Sequence, residues 1–253
     1  MFDVLGFKAL REEKGTSGLH QQYLRGILPA IQHSAAGKSK IVESNGQKVL
    51  VPDFTPSSLG YSIFSDTVIF FSENDSFESF CKIVNSSFSL LQLGFAGGKS
   101  PFRGAIGCGD LINDPRGILL GSGIEDAYIG ESSQAWAGAM LTPSCRELSE
   151  REGYIEKYKA RHLEIGAQME EEIKRTSAIE NSKRLVLYDV PIQKNPKDGP
   201  AIYETARTYA IDWTIRMYEG ASDQSFASST SSHAQTIAAN TKAFETWARQ
   251  CNR

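Results

Sequence analysis

The sequence predicts an α/β chain of the α+β kind, built on a mixed or antiparallel sheet. Three observations predict it. Short runs rich in β-branched and aromatic residues lie near 2–5, 61–71, 103–108 and 184–190. Amphipathic stretches of helical period alternate with them. The 253 residues are 40% hydrophobic, enough for a sizeable core. No repeat or linker divides the chain. One domain over 1–253 is expected, with a core of about 1–141 and a C-terminal extension of about 142–253.

Phe2, Val4 and Leu5 read as a buried strand that Gly6 ends. A strand so near residue 2 is unusual and fits a start trimmed from something longer. From Phe7 to His33 the apolar residues recur at helical spacing, with Gly15-Thr16-Ser17-Gly18 as a break. Residues 34–59 are polar and turn-rich, with one short strand at Lys48-Val49-Leu50-Val51 before Pro52. Tyr61–Ser65 and Thr67–Phe71 form a hairpin through Asp66. Phe77–Leu93 is an amphipathic helix and 94–101 a turn. Arg103–Gly109 is a strand rich in small residues, where glycines imply a close backbone approach. Ile118–Leu120 is a short strand. Residues 123–141 read as one helix holding Ala135, Trp136 and Ala139, and 147–176 as one charged helix. Arg184–Tyr188 and Thr208–Trp213 read as neighbouring strands that extend the sheet. A Ser-rich loop at 222–232, expected to be mobile, precedes a closing helix at 236–250.

The net charge of −3 lacks the basic footprint of a nucleic-acid binder, so no nucleic acid is expected. No apolar run approaches the roughly 18 residues of a membrane span, so no membrane is expected either. Cys81, Cys108, Cys145 and Cys251 are far apart and make no CxxC pair, which argues against a disulfide framework or a zinc knuckle. The N-terminus carries Asp3 where a signal peptide would be basic, and a cytoplasmic location is expected.

Two acids sit in strongly apolar strand contexts: Asp3 in Phe-Asp-Val-Leu-Gly-Phe and Asp66 in Ile-Phe-Ser-Asp-Thr-Val-Ile. A carboxylate there is costly unless paired, hydrogen-bonded or metal-bound. Two of them suggest a shared hard cation, Mg²⁺ or Mn²⁺, which takes oxygen ligands and substrate phosphates. The plainer alternative, at comparable weight, is that each caps a turn or pairs with an arginine.

The local order favours the first alternative. Asp3-Val4-Leu5-Gly6-Phe7-Lys8 resembles the opening motif of the class III nucleotidyl cyclases, the adenylate and guanylate cyclase catalytic domain. Phe64-Ser65-Asp66-Thr67 resembles the family's second metal aspartate at a hairpin tip, with Ser-Asp in place of Gly-Asp. Arg103-Gly104-Ala105-Ile106-Gly107-Cys108-Gly109 resembles its Arg-x-Gly-Ile-x-x-Gly strand, with Ala105 for the middle glycine. Gly121-Ser122-Gly123-Ile124-Glu125-Asp126-Ala127 resembles its Gly-x-x-Val-Asn-x-Ala helix start. The four motifs fall in family order over roughly 1–141 and make the chain similar to a divergent bacterial-type member.

The resemblance implies a ferredoxin-like cyclase core with a C-terminal strand pair and helix added. It implies metal ions on Asp3 and Asp66, with the Val4 carbonyl completing the shell. The backbone from Leu5 through Gly6 to Phe7 would face the triphosphate of a nucleoside triphosphate. Lys8 would reach the phosphates, although solvated lysines are commoner. Cyclic nucleotide and pyrophosphate would be the products, and the site would lie at a head-to-tail homodimer interface. The departures are equally specific. Glu125 stands at the transition-state Asn and Ile129 at the transition-state Arg, so the clamp on the transferring phosphoryl group is missing. Arg103 is the best replacement cation; its alternative is a structural pairing with Asp66 or Glu131. Ser62 and Ile118 stand at the purine-reading positions, which leaves pyrimidine triphosphates open. Two further readings are carried: a catalytically degenerate module that binds nucleotide or dimerises, and a two-metal polymerase-like domain. The missing Gly-Gly-Asp/Glu signature argues against the latter.

Overall fold

The computed structural model describes residues 1–44, 46–54, 59–96, 101–194, 202–226 and 231–251. Strand β1 (Phe2–Val4) leads through Gly6 into α1 (Phe7–Gln22). Gly6 is left-handed at φ 78°, a conformation that costs glycine little and lets strand turn sharply into helix. Gly15 (φ 66°, ψ 173°) kinks α1 within the expected break. A π-helical turn, Tyr23–Ile27, carries the chain into α2 (Leu28–Ala36). Then β2 (Ser39–Ser44) and β3 (Gln47–Pro52) form a separate hairpin, where the sequence suggests only the second strand.

Strands β4 (Gly60–Phe64) and β5 (Thr67–Phe71) follow, then α3 (Phe77–Ala96) and β6 (Phe102–Ile106). A small hairpin, β7 (Ile112–Asp114) and β8 (Ile118–Leu120), precedes α4 (Ser122–Ser132) and β9 (Gly138–Leu141). Three helices come next: α5 (Pro143–Arg151), α6 (Tyr154–Ala167) and α7 (Glu172–Ser182). The long strands β10 (Leu185–Lys194) and β11 (Ile202–Ile211), the short α8 (Ala221–Ser225) and α9 (Ser232–Cys251) end the chain. The main sheet has seven strands in the order β10-β11-β9-β6-β1-β5-β4. Every pairing is antiparallel except β6 with β9, so the sheet is mixed and the class is α+β, as expected.

Alternation along β1 and β6 divides the two faces. Phe2, Val4, Phe102 and Ile106 enter the main core with Val84, Phe88 and Leu91 of α3. Asp3, Arg103 and Ala105 lie on the other face, and α4 crosses there. Gly130 packs so closely on that face that a Cβ would meet Thr142 Cγ2 at 2.7 Å and Ala105 Cβ at 3.0 Å. Helices therefore flank both faces of the sheet.

Four further expectations are corrected. Residues 123–141 are not one helix: α4 stops at Ser132, Gln134 turns back onto Glu131 (N–H to carbonyl, 3.2 Å), and 138–141 become β9. The run Ala135–Leu141 is buried throughout, and a strand buried on both faces has no polar alternation to distinguish it from a helix. Residues 147–176 are not one helix either; left-handed Gly153 (φ 65°) separates α5 from α6, and α7 starts afresh at Glu172. Trp213 lies beyond β11 in a turn closed by Asp212, whose Oδ1 accepts the Thr214 N–H (3.0 Å) and hydroxyl (2.6 Å). Part of the Ser-rich stretch is α8 and Ser232 already belongs to α9, while 227–230, like 97–100 of the expected turn, lie outside the described residues.

The C-terminal extension closes the same core. Phe244 of α9 packs against Trp136 (4.6 Å between centroids), Tyr188 (4.9 Å) and Trp213 (6.1 Å), and Trp213 stacks on Phe95 (3.8 Å). Asn240 and Thr241 tie α9 to the chain before β9 through the Ala135 carbonyl and the Ala137 N–H.

Candidate functional site

The antiparallel register places Asp3 opposite Thr67 on one side and Arg103 on the other. Cross-strand partners share a face, so the three side chains lie in a row on the side away from the α3 core. Asp66 arrives from the turn between β4 and β5, where Ser65 is left-handed (φ 56°). The hairpin tip is stitched to β1 by the Val4 N–H donating to the Asp66 carbonyl (3.0 Å). Two acids 63 positions apart are thereby brought within hydrogen-bond reach, with the Asp3 carboxyl donating to Asp66.

Asp3 is pushed up to about 7, first by burial, then by the negative charges of Glu131 and Asp66, against the opposing pull of Arg103. Arg103 is already engaged: its Nε donates to Glu131 Oε1 at 2.6 Å and its Nη1 to the Gln134 carbonyl at 3.0 Å. Glu131, on α4, is only 3% exposed. Of the two arginine pairings the sequence left open, this is the one with Glu131. Gln134 holds the wall behind it, donating to the Gly104 and Gly130 carbonyls and accepting from Trp136 Nε1.

Tyr23 is a member the sequence reading treats only as an apolar helix position. Its hydroxyl donates to the Ser65 carbonyl at 2.6 Å, and its ring meets Phe7 edge-on at 6.0 Å. Burial, then the charges of Asp66 and Asp3, push the hydroxyl up to about 12, so it stays a neutral donor. No local signal marks it, because its placement depends on the π-turn at 23–27.

Of the other expected site residues, Val4 is buried and the Leu5 N–H is taken by the Pro101 carbonyl (2.9 Å). That leaves Gly6 and Phe7 as the turn at the α1 N-terminus, which no side chain caps. Lys8 is exposed on the first turn of α1. Glu125 and Ile129 lie on the exposed face of α4, Ser62 is half-buried on β4, and Ile118 is exposed on β8.

The donor set suits a hard cation of the Mg²⁺ kind: two carboxylates, leaving the remaining positions to water and substrate oxygens. A half-buried acid raised to about 7 by burial and by the negative charges of Glu131 and Asp66, which the pull of Arg103 does not offset, is the observation that carries this fit. Among the described residues no group of three or more His, Cys, Asp or Glu side chains is arranged to hold a metal, so a closed, all-protein cage is not what this site offers. No described helix is long and apolar enough to cross a membrane. Compared with protein-family models, curated proteins and solved structures, the chain matches none.

Proposed function

We propose that the chain is a divergent metal-dependent nucleotidyl cyclase, converting a nucleoside triphosphate to a cyclic nucleotide and pyrophosphate. The observation that carries this is the meeting of Asp3 and Asp66 at the tip of a hairpin, beside a glycine turn that opens a helix. The antiparallel order β6-β1-β5-β4, with helical crossovers between β1 and β4 and between β5 and β6, supports the ferredoxin-like core this reading needs.

Asp3 and Asp66 would hold Mg²⁺ or Mn²⁺, which when bound supplies Lewis-acid charge at the α-phosphate and eases ionisation of the ribose 3′-hydroxyl. The other steps belong to the chain. The Gly6–Phe7 turn directs the positive end of α1 towards phosphate. Lys8 adds a mobile cation beside it. Tyr23 fixes the hairpin tip and keeps its proton. Arg103, held by Glu131 and the Gln134 carbonyl, sets the field on Asp3.

The second protomer of a homodimer would complete the site. Phe64 at the hairpin end is 81% exposed, and on the β7–β8 hairpin the cross-strand pair Ile112 and Leu120 is exposed together with Ile118, which supports apolar positions for a partner. A second reading rests on a specific observation: Arg103 is committed to Glu131, and Glu125 and Ile129 bring no clamp. It describes a module that binds nucleotide, or only dimerises, without turnover.

The test is incubation of the purified protein with Mn²⁺ or Mg²⁺ and each of the four ribonucleoside triphosphates, read by mass spectrometry. A cyclic product lost in both Asp3→Ala and Asp66→Ala supports the enzyme and names the base. Metal-dependent nucleotide binding without product supports the module. Neither product nor binding overturns the enzyme and the nucleotide-binding module, and leaves only a dimerising one, which the oligomeric state in solution then tests.

A further inference from the structure

At the far end of β6 from Arg103, the thiols of Cys108 and Cys145 come close enough for each to shift the other's proton affinity, and both cysteines are free. Their backbones are held by one polar knot. Asp126 Oδ2 accepts from Thr142 Oγ1 (2.5 Å), Ser144 Oγ (2.5 Å) and the Cys108 N–H (3.3 Å). The Cys145 N–H donates to Thr142 Oγ1 at 3.4 Å, and Ser144 Oγ lies 3.3 Å from the Cys108 carbonyl. The parallel register of β6 with β9 explains the meeting: Ile106 pairs with Leu141, so the residues just beyond each strand leave the sheet side by side.

The two sulfurs are not equivalent. Cys145 is 1% exposed. Cys108 is half-buried and lines a cavity of about 790 Å³ with Phe70, Ile83, Ser87 and Ile124. The hydrogen bond from Cys145 outweighs burial and the charges of Asp126 and Asp75, and brings the Cys108 thiol below its usual range. The same hydrogen bond, then burial, holds Cys145 well above it. An accessible thiol favoured as thiolate beside a sheltered thiol that keeps its proton is the arrangement of an attacking and a resolving cysteine.

We propose that Cys108 and Cys145 are a hydroperoxide-sensitive pair that closes to a disulfide, with Cys108 attacking and Cys145 resolving. The Cys108 thiolate attacks one peroxide oxygen, the O–O bond breaks, and sulfenic acid and hydroxide (or alkoxide) result. The Cys145 sulfur then displaces hydroxide from the Cys108 sulfenic acid; the S–S bond forms as the S–O bond breaks, and the Cys145 proton leaves in water. Two electrons pass from the thiol pair to the peroxide, so the account balances. The segment is built to relay the change. Gly107 and Gly109 lie so close to α4 that a Cβ would meet the Ala127 nitrogen at 2.8 Å and the Gly123 nitrogen at 2.5 Å. A bond at Cys108 therefore acts on the first turn of α4, which carries Glu125. The proposal stands apart from the nucleotide reading and uses none of its residues as a reactant.

The experiment treats the whole protein with hydrogen peroxide, blocks remaining thiols with iodoacetamide and maps tryptic peptides. Peptides 104–116 and 117–146 each carry one of the pair. The expected first product is their disulfide-linked species, lost on reduction and formed about tenfold faster than oxidation of the exposed Cys251. In Cys145→Ser, Cys108 should stop at sulfenic acid, captured by dimedone, and pass to sulfinic acid with excess peroxide. The wild-type protein is decisive by itself, whether or not the variant folds. Accumulation of Cys108 sulfinic acid with Cys145 still a thiol, or oxidation confined to Cys251, overturns the proposal.

Discussion

Asp3 in the middle of the sheet and Glu245 on α9 are both acids held within the fold, in contrasting surroundings. Burial pushes the Glu245 carboxyl up, but its hydrogen bonds outweigh that and hold it below its usual range. Its Oε2 accepts the Ser222 hydroxyl (2.5 Å) and N–H (3.2 Å), and its Oε1 accepts the Gly220 N–H (2.9 Å) and Arg249 Nη2 (3.0 Å). Asp3 has burial without that compensation. Its nearest charges are Glu131, Asp66 and Arg103, so three carboxyl groups face one guanidinium. The difference separates two uses of an acid held inside the fold, Glu245 buried and Asp3 half-buried. Glu245 is satisfied and ties α8 to α9. Asp3 holds its proton up to about pH 7, and a divalent cation would displace it.

The largest effect that tests this contrast is on turnover. Asp3→Asn and Asp66→Asn should each lower cyclic-nucleotide formation by at least about 100-fold, measured by product mass spectrometry at saturating Mn²⁺. Retained activity in both would reduce the contrast to one of packing. Next is Glu245→Ala, which leaves the Ser222 and Gly220 donors and Arg249 without their acceptor. It should cost about 3 kcal/mol in urea unfolding, while Asp3→Asn in chelator should cost nothing.

The pH dependence sharpens the same point. Asp3 rises from 3.8 unfolded to about 7 folded, so between these values the folded chain binds more protons and its stability falls as pH rises. In chelator, the thermal midpoint of the wild-type protein should therefore fall from pH 4 towards pH 7 relative to Asp3→Asn, which removes this contribution. Above pH 7, Mn²⁺ should raise the wild-type midpoint and leave that of Asp3→Asn unmoved. The smallest effect is at Lys8. Lys8→Ala should change stability by less than about 0.5 kcal/mol and raise KM for the triphosphate a few-fold.

Much of the N-terminal half was legible from pattern alone. The hairpin around Asp66, the helix from Phe77 and the glycine-rich strand from Arg103 have local signatures: β-branched runs, a 3.6-residue stripe and small residues in series. The region around Trp136 was not legible. A stretch buried on both sides carries no alternation, so strand and helix look alike until a neighbour is known. Gly153 and Glu172 split what reads as one charged helix, because exposed charge is compatible with helix everywhere and marks no boundary.

The site divides in the same way. Asp3, Asp66 and Gly6 stand out in the sequence because an acid among apolar strand residues, or a glycine between strand and helix, is costly without a reason. Local chemistry along the chain was enough to select them. Which charges meet was settled by register: β6 beside β1 puts Arg103 next to Asp3, and α4 crossing the sheet brings Glu131 to Arg103. Tyr23 joined the site through a π-turn, and Cys108 met Cys145 through the pairing of β6 with β9. Sequence patterns encode the preferences of each residue and its near neighbours. Partners separated by tens of residues are chosen by how strands order and helices pack, so only the tertiary structure decided them.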